Sequence, residues 1–168
     1  MKTIAAEVRF AEERDAVDLA SVHAASWQGA YRGIIPYSSL TRMLQRRGPD
    51  WWRQAIGNRA AILVIEFDGE IAGYATLGRN RTKALLADGE IYELYLQPKF
   101  QGLGFGRRLF AAARDLLRTR GMNGIAVWAL ADNDNAMEFY GALGGADVAE
   151  GEETFEETTL RKVAFVWR

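Results

Sequence analysis

The sequence predicts an α/β chain of the mixed type: one central sheet of about seven strands, with helices on both faces. Three observations carry this. The apolar strand Glu90–Leu96 is followed by a glycine-rich turn, an amphipathic helix and a second apolar strand, and that spacing allows a right-handed crossover with parallel pairing. Asp68-Gly69 stands between two β-rich runs, a two-residue hairpin signal that makes the earlier strands antiparallel. Helical periodicity recurs before, between and after these strands. At 168 residues the chain reads as a single domain over 1–168, able to bury roughly 70% of its unfolded surface without staples.

Glu7-Val8-Arg9-Phe10 reads as a short first strand. Residues 12 to 30 read as a helix, because Ala16, Leu19, Ala20, His23 and Trp27 fall near one stripe; Gly29 and Gly33 loosen its end and Pro36 opens a new element. Pro49 in a first helical turn starts a short helix running to about Ile56. Residues 60–67 and 70–78 form the hairpin, and 79–88 form a polar loop with a basic start. Pro98 stops the strand Glu90–Leu96. Over 105–119, Leu109, Ala112, Ala113, Leu116 and Leu117 keep helical spacing, and Gly121 ends that helix. A buried strand over 124–130 and a helix over 133–143 follow, the latter with Ala136, Phe139, Tyr140 and Leu143 on one stripe. Strands near 145–149 and 159–167 close the chain, joined by an acidic loop over 150–157.

Composition excludes several classes. Net charge is −1, which argues against nucleic acid as a partner. No apolar run approaches a membrane span, and the early Glu7 argues against a signal peptide, so no membrane partner is expected. There is no cysteine, hence no disulfide, no thiol nucleophile and no cysteine-based zinc site; this suits a reducing, cytoplasmic location. The single histidine, His23, excludes a multi-histidine metal site, and no metal is expected.

The most informative segment is Gln101-Gly102-Leu103-Gly104-Phe105-Gly106, set between strand and helix. Its glycines can present a row of unobstructed N–H groups. The helix start adds unpaired N–H groups and a positive dipole end, which together suit a phosphate. A dinucleotide fingerprint fails, because its third glycine position is Arg107; a P-loop fails, because Gly106 precedes Arg107-Arg108 rather than Lys-Ser/Thr. A dinucleotide-dependent oxidoreductase is therefore disfavoured.

What does fit is Gln-x-x-Gly-x-Gly, with Gln101, Gly104 and Gly106. It resembles the coenzyme A pyrophosphate loop of the GNAT superfamily of N-acetyltransferases. Asn133-x-x-Ala136-x-x-Phe139-Tyr140, ending in Leu143-Gly144-Gly145, resembles the second motif of that family, with Gly145 where phenylalanine is commoner. Leu94-Tyr95-Leu96-Gln97-Pro98 resembles its Leu-Tyr-Val-x-Pro strand. The three pieces occur in family order over residues 90–145. Ser26-Trp27 with Tyr31 and Gly33 also looks like one subgroup.

The resemblance implies that the fourth and fifth strands are parallel and splayed, and that the gap takes acetyl-CoA. The backbone of Leu94 and Leu96 would pair with the pantetheine arm like an added strand. Gln101, Gly102, Gly104, Gly106 and Arg107 would cradle the pyrophosphate, with Arg107 or Arg108 pairing a phosphate or simply facing solvent. Asn133 would bond the pantetheine, cap the helix as asparagine does well, or both, with Asp132 competing for the cap. Attack of an amine on a thioester expels a thiolate, and Tyr140 is the residue expected to supply its proton. Glu90 and Glu93 are the two candidates for the base. A carboxylate in an apolar strand is costly to bury unless partnered; position 90 matches the family's base better, and Glu93 sits deeper in the apolar run.

Trp27 and Tyr31, with Trp51 and Trp52, lie where the family builds its acceptor wall, as an aromatic pocket or as core. His23 reads as packed or surface. The carboxylates of 150–157 border the acceptor cleft in relatives and could attract a cationic amine, or form a solvated loop. The function implied is N-acetyltransferase, moving acetyl from acetyl-CoA to a small-molecule or peptide amine by direct attack. A non-catalytic acyl-CoA-binding or sensing module on the same fold is the alternative. A homodimer is compatible with the family, although nothing in the sequence shows one.

Overall fold

The computed structural model describes residues 5–168. Its elements are β1 (Glu7–Phe10), α1 (Ala16–Tyr31), α2 (Tyr37–Arg46), α3 (Pro49–Gly57), β2 (Ala61–Phe67), β3 (Glu70–Arg79), β4 (Gly89–Leu96), α4 (Phe105–Thr119), β5 (Ile125–Leu130), α5 (Asp134–Ala142), β6 (Ala146–Phe155) and β7 (Thr158–Trp167). They form one seven-stranded sheet in the order β1-β2-β3-β4-β5-β7-β6. β4 and β5 pair parallel and every other neighbouring pair is antiparallel.

Both faces of the sheet are covered, which is why β2 reads as a continuous apolar run rather than an alternation. Leu63 and Ile65 pack with Leu109, Phe110, Ala113 and Leu117 of α4. The intervening Ile62 and Val64 pack with Leu19, Val22 and Trp52 of the α1 and α3 layer. The β2–β3 turn forms where expected, with Asp68 at φ 52 and Gly69 at φ 75, the left-handed pair of a tight hairpin. The first helix is shorter than its periodicity suggests, because Glu13–Asp15 form a separate 3-10 turn before α1.

One expected element is wrong. The acidic stretch 150–157 is not a loop: β6 runs to Phe155 and turns into β7 through Glu156 and Glu157. Its charge pointed to solvent, but β6 is the sheet edge, where side chains stay wet and β7 provides the ladder.

Two features place the site. β4 and β5 pair only at Gly89 with Ile125 and Glu90 with Ala126; past that point they no longer pair with each other, while β4 stays on β3 and β5 on β7. In the β3–β4 ladder Thr76 faces Glu93 and Leu77 faces Ile91, so Tyr92 is an extra residue, a bulge that bends β4 at the split.

Candidate active site

A cavity of about 840 Å³ lies over the split between β4 and β5. Leu94 and Leu96 line it from β4, Gln101, Gly102 and Gly104 from the turn, Gly106 and Arg107 from α4, and Asn133 and Tyr140 from the α5 segment. Every residue expected at the cofactor is thus brought to one cavity. Leu94 and Leu96 also pack on the core beneath α4, so their side chains serve the core and leave their backbone for other bonds.

The turn is conformationally committed. Gly102 and Gly104 have φ of +80 and +82, and a Cβ at either would meet nothing within 4 Å. The left-handed backbone excludes most side chains there, and the space beside it is open. Gly106 is different: a Cβ would lie 3.0 Å from the Phe139 ring, so this glycine lets α4 close on α5. Gly145, where the family more often carries phenylalanine, has the Trp167 ring 2.5 Å from the position of a Cβ. Trp167 already fills the space, and its Nε1 donates to Leu143 O at 3.1 Å.

Asn133 caps α5, its Oδ1 accepting from Ala136 N at 3.2 Å. Tyr140 is buried among Phe110, Phe139, Phe165 and Trp167. Burial raises the proton affinity of its phenol above the ordinary tyrosine value, so the hydroxyl stays protonated at neutral pH.

A second chamber of about 310 Å³ lies on the α1–α2 side. It shares Tyr31, Tyr92, Glu93, Tyr95, Trp128 and Ala129 with the first, so the two meet at the split. Glu93 lines both chambers, whereas Glu90 lines only the second. Neither is a bare carboxylate, as the cost of burial requires. Glu93 accepts from Arg47 Nη2 at 2.9 and 3.3 Å, from the Tyr74 hydroxyl at 3.0 Å and from the Thr76 hydroxyl at 3.1 Å. Glu90, 1% exposed, accepts from the Arg81 backbone N–H at 3.0 Å and from Arg81 Nη2 at 2.8 Å.

Trp27 and Tyr31 both line the second chamber. The Trp27 Nε1 donates to the Tyr74 hydroxyl at 3.3 Å, and the Tyr31 and Tyr95 hydroxyls bond each other. Trp51 and Trp52 line neither chamber; of the two readings, pocket or core and rim, Trp52 takes the core and Trp51 the rim. They hold Arg47 instead. Its guanidinium lies 3.7 Å from the Trp51 ring centre and 4.8 Å from that of Trp52, whose Nε1 donates to Arg47 O at 3.1 Å. His23 is packed beside Trp27 and Trp52 with neither ring nitrogen hydrogen-bonded. Burial, and then the charge of Arg47, lower its pKa to about 3. Three of the five carboxylates over 150–157 are paired: Glu150 with Arg161 at 2.9 Å, Glu153 with Lys162 at 3.5 Å and Glu156 with Arg42 at 2.8 Å. Among the described residues no cluster of acidic or histidine side chains could hold a metal, and no helix is long and apolar enough to cross a membrane.

Arg47, Arg81, Tyr95 and Trp128 escaped the reading of the sequence. Tyr95 was accessible, since it lies two residues beyond Glu93 on one strand and so faces the same way. Arg47 gave no signal: Arg46-Arg47-Gly48 reads as an ordinary helix end.

A splayed parallel pair with a glycine turn at one mouth is the scaffold of an acyl-transfer family. The chain belongs to the acetyltransferase (GNAT) family, whose model matches residues 23–144. It is 30% identical over 160 residues to the uncharacterized N-acetyltransferase YuaI of Bacillus subtilis, covering 95% of this chain and 91% of that one. Its fold resembles the PaiA N-acetyltransferase of Thermoplasma acidophilum, solved in complex with coenzyme A, with TM-score 0.75 and 18% identity over 94% of this chain and 98% of the other. It also resembles YncA of Salmonella typhimurium, a putative acetyltransferase solved with acetyl-CoA, with TM-score 0.69 and 17% identity over 98% and 94%.

Proposed function

We propose that the protein transfers an acetyl group from acetyl-CoA to a primary amine by direct attack. The observation that carries this is the pair of chambers meeting at the β4–β5 split, one opening at the glycine turn and the other lined by charged and aromatic side chains. Direct transfer suits a chain without cysteine. The turn fits a pyrophosphate: Gly102 and Gly104 leave open space where side chains would stand, and the first-turn N–H groups of α4 have no intrahelical partners.

When bound, acetyl-CoA supplies an acyl group activated as a thioester. Gln101, Gly102, Gly104, Gly106 and Arg107 hold its diphosphate, mainly through N–H groups. Beyond Glu90 the β5-facing backbone of β4 lacks a strand partner, which leaves Leu94 and Leu96 to bond the pantetheine amides and Asn133 to bond from α5. Tyr140 donates its hydroxyl proton towards the departing sulfur. A tyrosine above its ordinary value gives up that proton uphill to a thiol near 8.5, but an apolar wall raises the proton affinity of the thiolate as well and narrows the gap. Glu93, where the chambers meet, draws the ammonium to the split, and Glu93 with Glu90 receives the proton released there. Trp27 and Tyr31 wall the acceptor.

The test is incubation with acetyl-CoA and a panel of primary amines, following free thiol release and the acetylated product by mass. Thiol release that depends on the amine supports the reading. Tight acetyl-CoA binding with no transfer to any amine would favour the non-catalytic binding module instead.

A further inference from the structure

We infer that the acceptor amine carries a carboxylate, and that Arg47 receives it. The inference rests on the acyl-transfer reading and deepens it by naming the class of acceptor. The second chamber holds three cations, Arg47, Arg81 and Lys162, and three carboxylates, Glu90, Glu93 and Glu153. Its formal charge is balanced, but its hydrogen-bonding capacity is not. The two oxygens of Glu93 receive three donors, Arg47 Nη2, the Tyr74 hydroxyl and the Thr76 hydroxyl, which leaves about one acceptor site for an incoming ammonium. Glu90 is held by the backbone and side chain of Arg81, and Glu153 lies by Lys162 on the half-exposed hairpin.

The donors are left over. Arg47 reaches Glu93 through Nη2 alone. Its Nε is buried with no partner, and among the described residues Arg47 donates from neither Nε nor Nη1. A guanidinium offers five N–H donors in a flat fork suited to a carboxylate. This one is immobilised by the Trp51 and Trp52 rings and by Glu93. Ligand binding therefore costs little further ordering of the side chain. Nε is closed off from the chamber, so Nη1 is the donor left for an anionic group on the acceptor.

Size and charge agree. A chamber of about 310 Å³ is at the small end of ligand sites. A balanced chamber matches a molecule that is itself a zwitterion. A polyamine would need several open carboxylates in the chamber, where Glu90 is held by Arg81 and Glu153 lies by Lys162. An α-amino acid could place its ammonium towards Glu93 and its carboxylate against Arg47, since Arg47 lines only the second chamber while Glu93 reaches the split.

The experiment compares L-amino acids with their carboxamides and with the matching decarboxylated amines, using the full chain and saturating acetyl-CoA. For at least one set, the carboxylate member should exceed both analogues in kcat/KM by about tenfold or more. Arg47→Lys and Arg47→Gln should bring that ratio close to one by raising KM for the carboxylate member. Equal use of the carboxamide, preference for the decarboxylated amine in every set, or a ratio that survives in both variants would overturn the inference. So would a protein that binds acetyl-CoA and acetylates only amines without a carboxylate, or none of the panel. Failure to bind acetyl-CoA at all would instead sink the acyl-transfer reading beneath it. Circular dichroism and an acetyl-CoA thermal shift establish that each variant is folded; where neither folds, the wild-type ratio decides.

Discussion

The two faces of the split sheet are built by opposite means. On the α4–α5 side the distinctive parts of the cavity are backbone: a glycine turn, a helix start and a strand edge without its neighbour. On the α1–α2 side the chamber is made of side chains from α1, the end of α2, β4, β5 and the β6–β7 hairpin. A backbone site constrains local sequence, because φ near +80 at Gly102 and Gly104 favours glycine over almost every other residue. A side-chain site does not, because Arg47 and Glu93 meet only after folding.

The sharpest way to break this division is at Tyr140. Tyr140→Phe is expected to lower kcat about a hundredfold, within the usual range for losing a positioned acid, while acetyl-CoA affinity stays within roughly threefold. Steady-state kinetics beside calorimetric titration separates the two; unchanged turnover would remove the tyrosine from the chemistry and leave it a core aromatic.

The same division explains how much could be read in advance. The parallel unit, the hairpin at Asp68-Gly69 and the contents of the large cavity were legible because each rests on a local pattern. The edge strand β6 was not. Its glutamates mark solvent exposure, and exposure alone does not distinguish a loop from the outermost strand. The arginine partners of Glu90 and Glu93 were hidden for another reason. The cost of burying a carboxylate demands a partner but does not say from which segment it comes.

Gly104→Val tests the backbone side. It strains a left-handed residue and places a side chain in the open cradle, so the acetyl-CoA Kd should rise about tenfold or more with the amine KM little changed. An unaltered Kd would mean the diphosphate lies elsewhere. Glu93→Gln tests the other face. It should lower kcat/KM for the amine by roughly tenfold and leave acetyl-CoA binding in place; a loss of acetyl-CoA affinity equal to the loss of activity would show that the faces are not separable.

The smallest functional effect is expected at His23, which belongs to neither chamber. Its folded pKa is about 3 against 6.5 for the free side chain. Because the folded value is depressed, its contribution to stability is complete above 6.5 and is lost as pH falls towards 3, by up to about 5 kcal/mol. His23→Leu should flatten that acid limb in urea titrations, with neutral-pH stability retained because an unpartnered polar ring is removed. An acid limb as steep as that of the wild type would show that His23 is not held neutral.

The most direct measurement is the thermal midpoint with acetyl-CoA, using NAD and ATP as controls. At a hundred times the dissociation constant, binding adds about 2.7 kcal/mol, which for a chain of this size is a rise of roughly 5–11 °C. That rise is expected with acetyl-CoA and not with either control. A folded protein whose midpoint does not move with acetyl-CoA, or moves equally with NAD, would contradict the assignment of the glycine turn and of the cavity beneath it.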